Sequence, residues 1–99
     1  MGYQVALSPT ARRDLRDIVR YISVDSPERA VSFGQFLITQ AKKLGQFPQM
    51  GRMVPEFDKP DIREIVVRSY RVIYRVDDGD CRIEIVRFWH AARGTPEIG

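Results

Sequence analysis

Two side chains of this 99-residue sequence have the chemistry to act on a phosphate ester. His90 is the only histidine, and an imidazole ordinarily exchanges its proton near neutral pH. Arg71 carries a guanidinium group, which can hold a phosphate through two parallel hydrogen bonds and stabilise charge that develops during phosphoryl transfer. The structural alternatives are a histidine that hydrogen-bonds the backbone and an arginine on a sheet surface.

The sequence gives little support for other kinds of catalytic site or for a cofactor site. The sequence has one histidine and one cysteine, Cys81, which excludes an internal disulfide and argues against a zinc site. It has no Gly-rich phosphate loop, no metal-ligand spacing of His, Cys and Asp, and no paired-carboxylate motif. We therefore expect no metal and no cofactor.

Arginine is locally clustered in the second half of the chain, although that half as a whole carries nine basic and nine acidic residues. The formal net charge is +3, and four arginines fall between residues 63 and 75: Arg63, Arg68, Arg71 and Arg75. Arginine clustered on a strand pair suits a phosphate or carboxylate partner. The alternative is a solvated face of a sheet.

Two amphipathic helices are predicted in the first half. Ser8-Pro9 combines a capping serine with a proline at the first helical position, and this helix extends to about Val24. Ser26-Pro27 repeats the signal, and Gly45 ends the second helix. Because the connection at Asp25-Ser26 is short, the helices should form an antiparallel hairpin.

Strands flank this hairpin in the sequence. A short strand, Tyr3–Leu7, precedes it, and three follow: Ile62–Arg68, Tyr70–Val76 and Arg82–Trp89. Between the last two, Gly79 should take positive φ in the turn Asp77-Asp78-Gly79-Asp80. The order β-α-α-β-β-β predicts an α+β fold, one domain over residues 1–99, with a helical hairpin on one face of a small, mostly antiparallel sheet.

Alternation along the central strand separates a core face from a basic face. Val72, Tyr74 and Val76 share the side assigned to the core, together with Tyr70. Arg71 and Arg75 lie on the other side, which the helices leave open. We therefore expect an exposed, basic sheet face that can bind a partner.

The connection at residues 45–61 is long for a compact domain, so we expect it to be packed or functional. Its apolar side chains are Phe47, Met50, Met53, Val54 and Phe57.

The ordered set of motifs resembles the ParE/RelE superfamily of type II toxins over roughly residues 3–93. The resemblance lies in the runs Leu7-Ser8-Pro9-Thr10-Ala11, Gly51-Arg52-Met53-Val54-Pro55-Glu56, Ile62-Arg63-Glu64, Tyr70-Arg71-Val72-Ile73-Tyr74-Arg75-Val76 and Ile85-Val86-Arg87-Phe88-Trp89-His90-Ala91-Ala92-Arg93. It implies a toxin of a toxin–antitoxin module, of the kind linked to plasmid stabilisation. It also implies a cognate antitoxin, with promoter DNA bound only through the complex.

The antitoxin should cover apolar surface that the toxin alone leaves wet, namely the helical hairpin and the side chains of Phe47, Met50, Met53, Val54 and Phe57. The sequence has no apolar stretch long enough for a membrane span and no signal-peptide layout, so we expect a cytoplasmic protein with no membrane partner.

The resemblance leaves two cellular targets open. RelE-like members cut messenger RNA on the ribosome, and Arg71 falls where they carry a catalytic arginine. These members usually have a basic residue after the position of His90 and a tyrosine in the tail. Here Ala91 and Ala92 follow, and residues 91–99 contain no tyrosine. The pattern is closer to ParE-like members, which poison DNA gyrase.

We therefore favour a gyrase inhibitor that is not itself an enzyme. The alternative is a ribosome-dependent endoribonuclease with Arg71 and His90 as catalytic residues, and a non-toxic adaptor is a third class. In either toxin, the target should contact the arginines of the sheet, namely Arg68, Arg71, Arg75, Arg87 and Arg93.

Overall fold

The computed structural model describes residues 2–98, and Met1 and Gly99 lie outside the described residues. The elements are β1 (Gln4–Leu7), α1 (Pro9–Ser23), α2 (Pro27–Lys43), β2 (Arg52–Met53), β3 (Ile62–Val67), β4 (Tyr70–Asp77), β5 (Arg82–His90) and a 3₁₀ turn (Ala91–Arg93). The predicted α+β order is confirmed. The two-residue strand β2, inside the long connection, was not predicted.

The five strands form one mixed sheet in the order β1-β5-β4-β3-β2. β1 pairs in parallel with β5, and the other pairs are antiparallel. β1 stops at Leu7, which pairs with Ile85, so the last part of β5 extends beyond it. None of the helices within residues 2–98 is long and apolar enough to cross a membrane.

Both helices begin where their Ser-Pro signals predict. The Ser8 hydroxyl accepts a hydrogen bond from the Ala11 amide at 3.0 Å, and Ser26 accepts one from Arg29 at 3.2 Å. These caps satisfy amides that the first helical turn leaves without a partner.

The main core lies between the helical hairpin and the sheet. The predicted core face of β4 is confirmed, because Val72 and Tyr74 are fully buried and Val76 nearly so. Leu37 of α2 and Ile85 of β5 are also fully buried in this cluster.

A second hydrophobic cluster covers the opposite face of the sheet. It contains Val54, Ile62, Ile73, Val86 and Trp89, with Phe57 and Ile98 packed against it. The long connection and the C-terminal tail therefore cover much of the face that was expected to be open.

The hairpin between β4 and β5 turns differently from the prediction. Gly79 does not take positive φ; Cys81 does, at 51°. The Asp77 carboxylate accepts a hydrogen bond from the Asp80 amide at 3.1 Å, which stabilises a turn without left-handed backbone at the glycine. Between β3 and β4 it is Arg68 that has positive φ, 55°.

Candidate functional site

Arg71 is buried in an ion-pair network on the outer face of the sheet, the face opposite the helices. Its Nε donates to Glu64 at 2.6 Å, and its two Nη atoms donate to the Glu56 carboxylate at 2.8 and 2.7 Å. Only 9% of the residue is exposed, and Glu64 is 1% exposed. All three guanidinium nitrogens are therefore occupied within the chain, and the expectation of an open face is wrong at this position.

The two acidic partners come from different parts of the chain. Glu64 belongs to β3 and also pairs with Arg52 of β2 at 2.8 Å. Glu56 follows β2 in the connection, so its contact with Arg71 holds that segment against the sheet. A carboxylate on the same face of β3 as Ile62 was the available sequence signal for this network, because a charged side chain that is buried beside apolar residues needs a charged partner.

Gly51 anchors the start of β2 by a close backbone approach. Its amide donates to the Tyr74 hydroxyl at 2.9 Å, and that hydroxyl donates to the Pro48 carbonyl at 2.8 Å. A Cβ atom at this position would lie 2.4 Å from the Glu64 carbonyl oxygen, so only glycine fits without a shift.

The network makes the outer face sensitive to acid. Hydrogen bonds from Arg71 lower the pKa of Glu56 from 4.5 to about 2. A carboxylate whose folded-state pKa is depressed stabilises the fold above its unfolded pKa, and this contribution disappears as the pH falls through the folded value.

We expect the Glu56→Gln variant to lose part of the acid dependence of stability. Between pH 6 and pH 3, its urea midpoint should fall less than that of the parent protein. Asp58→Asn, an exposed substitution in the same connection, should keep the parent's dependence. Parallel curves for the parent and Glu56→Gln would contradict this assignment.

A second arginine, Arg87, joins three parts of the chain. It donates to the Asp14 carboxylate of α1 at 2.8 and 3.0 Å and to the Glu97 carbonyl of the tail at 2.7 Å. The hydrogen bonds to Asp14 raise the pKa of Arg87. Its guanidinium carbon lies 4.8 Å from the centre of the Trp89 ring, and that of Arg93 lies 4.1 Å from it.

The structure does not bring the five predicted arginines onto one surface. The Arg87 and Arg93 guanidinium groups both contact the Trp89 ring, whereas Arg71 pairs with Trp89 across the strands but is buried. Arg75 is further along β4, with 42% of its side chain exposed, and pairs with exposed acids. Arg68 lies at the β3–β4 turn, 4.9 Å from the centre of the Phe36 ring of α2.

His90 lies on the helix side of the sheet. Tyr70 pairs with His90 and Arg71 pairs with Trp89, and successive strand residues point to opposite faces. The His90 Nδ1 accepts a hydrogen bond from the Ala92 amide at 3.1 Å, so the ring caps the 3₁₀ turn. The candidate catalytic pair, Arg71 and His90, therefore does not face a common site.

The apolar residues of the connection divide into two groups. Phe47, Met50 and Met53 are 59%, 51% and 42% exposed. Val54 is fully buried, and Phe57 packs against the same outer cluster. The structure thus removes Val54 from the predicted antitoxin surface and leaves Phe57 partly covered.

No group of three or more potential metal ligands occurs within residues 2–98.

Residues 5–94 match the family described as the ParE toxin of the type II toxin–antitoxin system parDE. The chain belongs to the ParE toxin family. This ParE-family toxin is also 37% identical over 91 residues to Toxin RelE2 of Caulobacter vibrioides, a match that covers 91% of this chain and 97% of that protein.

Solved structures share the fold of this ParE-family toxin. A chromosomal ParDE system from P. aeruginosa gives a TM-score of 0.73 at 24% identity, covering 89% of this chain and 95% of that one. The RelBE2 toxin–antitoxin complex of Mycobacterium tuberculosis gives a TM-score of 0.67 at 24% identity, covering 91% of this chain and 99% of that one.

Proposed function

We propose that this ParE-family toxin inhibits DNA gyrase as a binding protein and is neutralised by a cognate antitoxin. The observation that carries the proposal is the placement of Arg71 and His90. A ribonuclease must activate a ribose hydroxyl and stabilise the pentavalent phosphate at one place. Here the arginine is sealed by two carboxylates on one face, while the histidine lies on the other.

In this proposal the target meets the arginines that remain accessible on the outer face. Arg93 is exposed above Trp89, and Arg75 is partly exposed. Arg71 and Arg87 then act indirectly, because they hold the connection and the tail in place. Charge-neutralising variants of Arg93 and Arg75 should weaken toxicity without unfolding the protein.

The antitoxin is proposed to cover the exposed side of the long connection. Phe47 and Met50 precede β2, and Met53 belongs to it; all three are exposed, and β2 is an edge strand of the sheet within residues 2–98. Its outer edge offers backbone groups to an added strand, and the three apolar side chains offer contact area. Promoter DNA is contacted only through the resulting complex.

Induction of the toxin in cells separates the possible targets. A gyrase inhibitor should cause filamentation, an SOS response and cleaved DNA trapped on gyrase, and co-expression of the antitoxin should abolish all three. Growth that is unaffected by the induced toxin would contradict a toxic role and favour an adaptor.

The runner-up is a ribosome-dependent endoribonuclease, for which the similarity to a protein named RelE2 is the specific support. It predicts rapid cleavage of ribosome-bound messages without trapped gyrase. If the His90→Gln variant folds normally and loses that cleavage, the ribonuclease function would replace the gyrase proposal. Arg71→Lys is a second probe, because it keeps the charge in the network.

A further inference from the structure

A cleft opens on the helix side of the sheet, away from the outer face discussed above. It has a volume of about 670 Å³ and lies where α1 and α2 meet the β3–β4 turn and the end of β5. This is within the size range of sites for small organic ligands. None of the residues that line it is acidic.

Two guanidinium groups line this cleft. Arg29 lies in the first turn of α2, and Arg68 lies at the β3–β4 turn. Within residues 2–98 neither forms an ion pair with a carboxylate, whereas Arg52, Arg71, Arg75 and Arg87 all do. Two cations without acidic partners in a cleft favour an anionic ligand.

A row of aromatic rings runs along the cleft. The centroids of Phe36 and Phe33 are 6.4 Å apart, those of Phe33 and Tyr70 are 5.7 Å apart, and those of Tyr70 and His90 are 5.1 Å apart. All four residues line the cavity. Phe33, Phe36 and Tyr70 are partly buried against the core, so part of each ring stays accessible. Accessible aromatic rings next to arginines are the combination on which nucleobases stack.

The backbone and side chains place donors beside the rings. Arg68 takes a left-handed conformation, rare for arginine, and its guanidinium carbon lies 4.9 Å from the Phe36 ring centre. Because the Nδ1 of His90 accepts a backbone hydrogen bond, the neutral ring carries its proton on Nε2. Ser32 and Ser69 add hydroxyl groups.

We propose that this cleft binds one nucleotide unit of a single-stranded nucleic acid, with the phosphate at Arg29 and Arg68 and the base against the aromatic row. A phosphate alone would use only the arginines, and an acidic peptide would leave the ring faces without a planar partner. A nucleotide satisfies both features. The inference does not depend on gyrase being the target, because binding is measured on the isolated chain.

The test measures binding of a fluorescent single-stranded tetranucleotide with a 5′-phosphate to the purified full chain by anisotropy. Replacing both cleft cations in Arg29→Gln/Arg68→Asn should weaken binding about ten-fold or more, since charge-assisted contacts are lost. Asparagine is chosen at position 68 because it tolerates the left-handed backbone.

The matched control is Arg13→Gln/Arg16→Gln, which removes the same charge from exposed positions of α1 outside the cleft. It should change affinity no more than about two-fold. Equal losses in the two double variants would show only non-specific attraction and would overturn the proposal.

Competition identifies the chemistry of the ligand. Thymidine 5′-monophosphate should displace the probe at lower concentration than either inorganic phosphate or thymidine. Comparing DNA and RNA versions of the probe shows which of the two nucleic acids the cleft prefers, and binding of either supports the proposal. Equal competition by inorganic phosphate, preference for duplex DNA, or stronger competition by a Glu/Phe peptide would each contradict it.

Phe36→Leu provides an independent arm, because it removes the ring under Arg68 and keeps an apolar side chain in the core. Affinity should fall about five-fold or more, within the range for loss of one stacking contact. Circular dichroism shows whether the variant is folded. If a folded Phe36→Leu protein binds the probe with unchanged affinity, the aromatic row does not contribute to binding and the proposal is contradicted.

Discussion

Arg71→Met should lower the free energy of unfolding by about 3–5 kcal/mol, because removing one partner of a buried ion pair leaves much of the other charge uncompensated. The side chain of Glu64 is completely buried. In the variant it would keep only its ion pair with Arg52, whose own side chain is 63% exposed to solvent. Equilibrium unfolding in urea measures the change.

Arg75→Met is the matched control for this prediction. Arg75 lies on the same strand and also pairs with acids, but its side chain is 42% exposed and its partners are about half exposed. Exposed pairs contribute about 0–1 kcal/mol. Equal destabilisation by the two variants would mean that burial of the network is not what makes it strong.

A second variant replaces the exposed apolar residues of the connection with serine, in the triple form Phe47→Ser/Met50→Ser/Met53→Ser. If the antitoxin covers this surface, each side chain should contribute about 1–2 kcal/mol of binding, and the dissociation constant should rise about a hundred-fold or more. Calorimetric titration with the antitoxin measures it. Stability should change little, since about half of each residue is already exposed to solvent.

The exposed apolar residues of the helical hairpin provide the comparison. Tyr21 and Val24 are 79% and 83% exposed at the end of α1, and Tyr21→Ser/Val24→Ser tests whether that end also contacts the antitoxin. Wild-type affinity in the triple variant would contradict the assignment of the connection, whatever the hairpin variant does. The toxin assignment itself would stand, because it is tested by growth.

Local signals determined the helices and the core face of β4. Ser8-Pro9 and Ser26-Pro27 each supply a cap and a fixed φ within two residues, so the helix starts needed no tertiary information. The alternation of Val72, Tyr74 and Val76 is equally local, because a strand has a period of two.

Contacts between distant segments were decided only by the tertiary structure. The alternating pattern places Arg71 on the face opposite the helices. It does not predict that the connection at residues 45–61 returns over that face and brings a Glu56 carboxylate oxygen to 2.7 Å from the Arg71 guanidinium. The same path buries Val54 and leaves Met53 exposed, although both are apolar residues of one irregular segment. Because this segment has no hydrophobic periodicity, its local sequence does not indicate which of its side chains pack and which face solvent.

The cleft also depends on assembly of the whole domain. Arg29 and Arg68 are 39 positions apart in the sequence. Arg68 belongs to the arginine cluster that was predicted to contact the target, but no local feature pairs it with Arg29. They line one cavity because α2 packs across the turn between β3 and β4. Charge and aromatic content were visible in the sequence, but the arrangement that makes them a possible binding site comes from the crossing of a helix over a sheet.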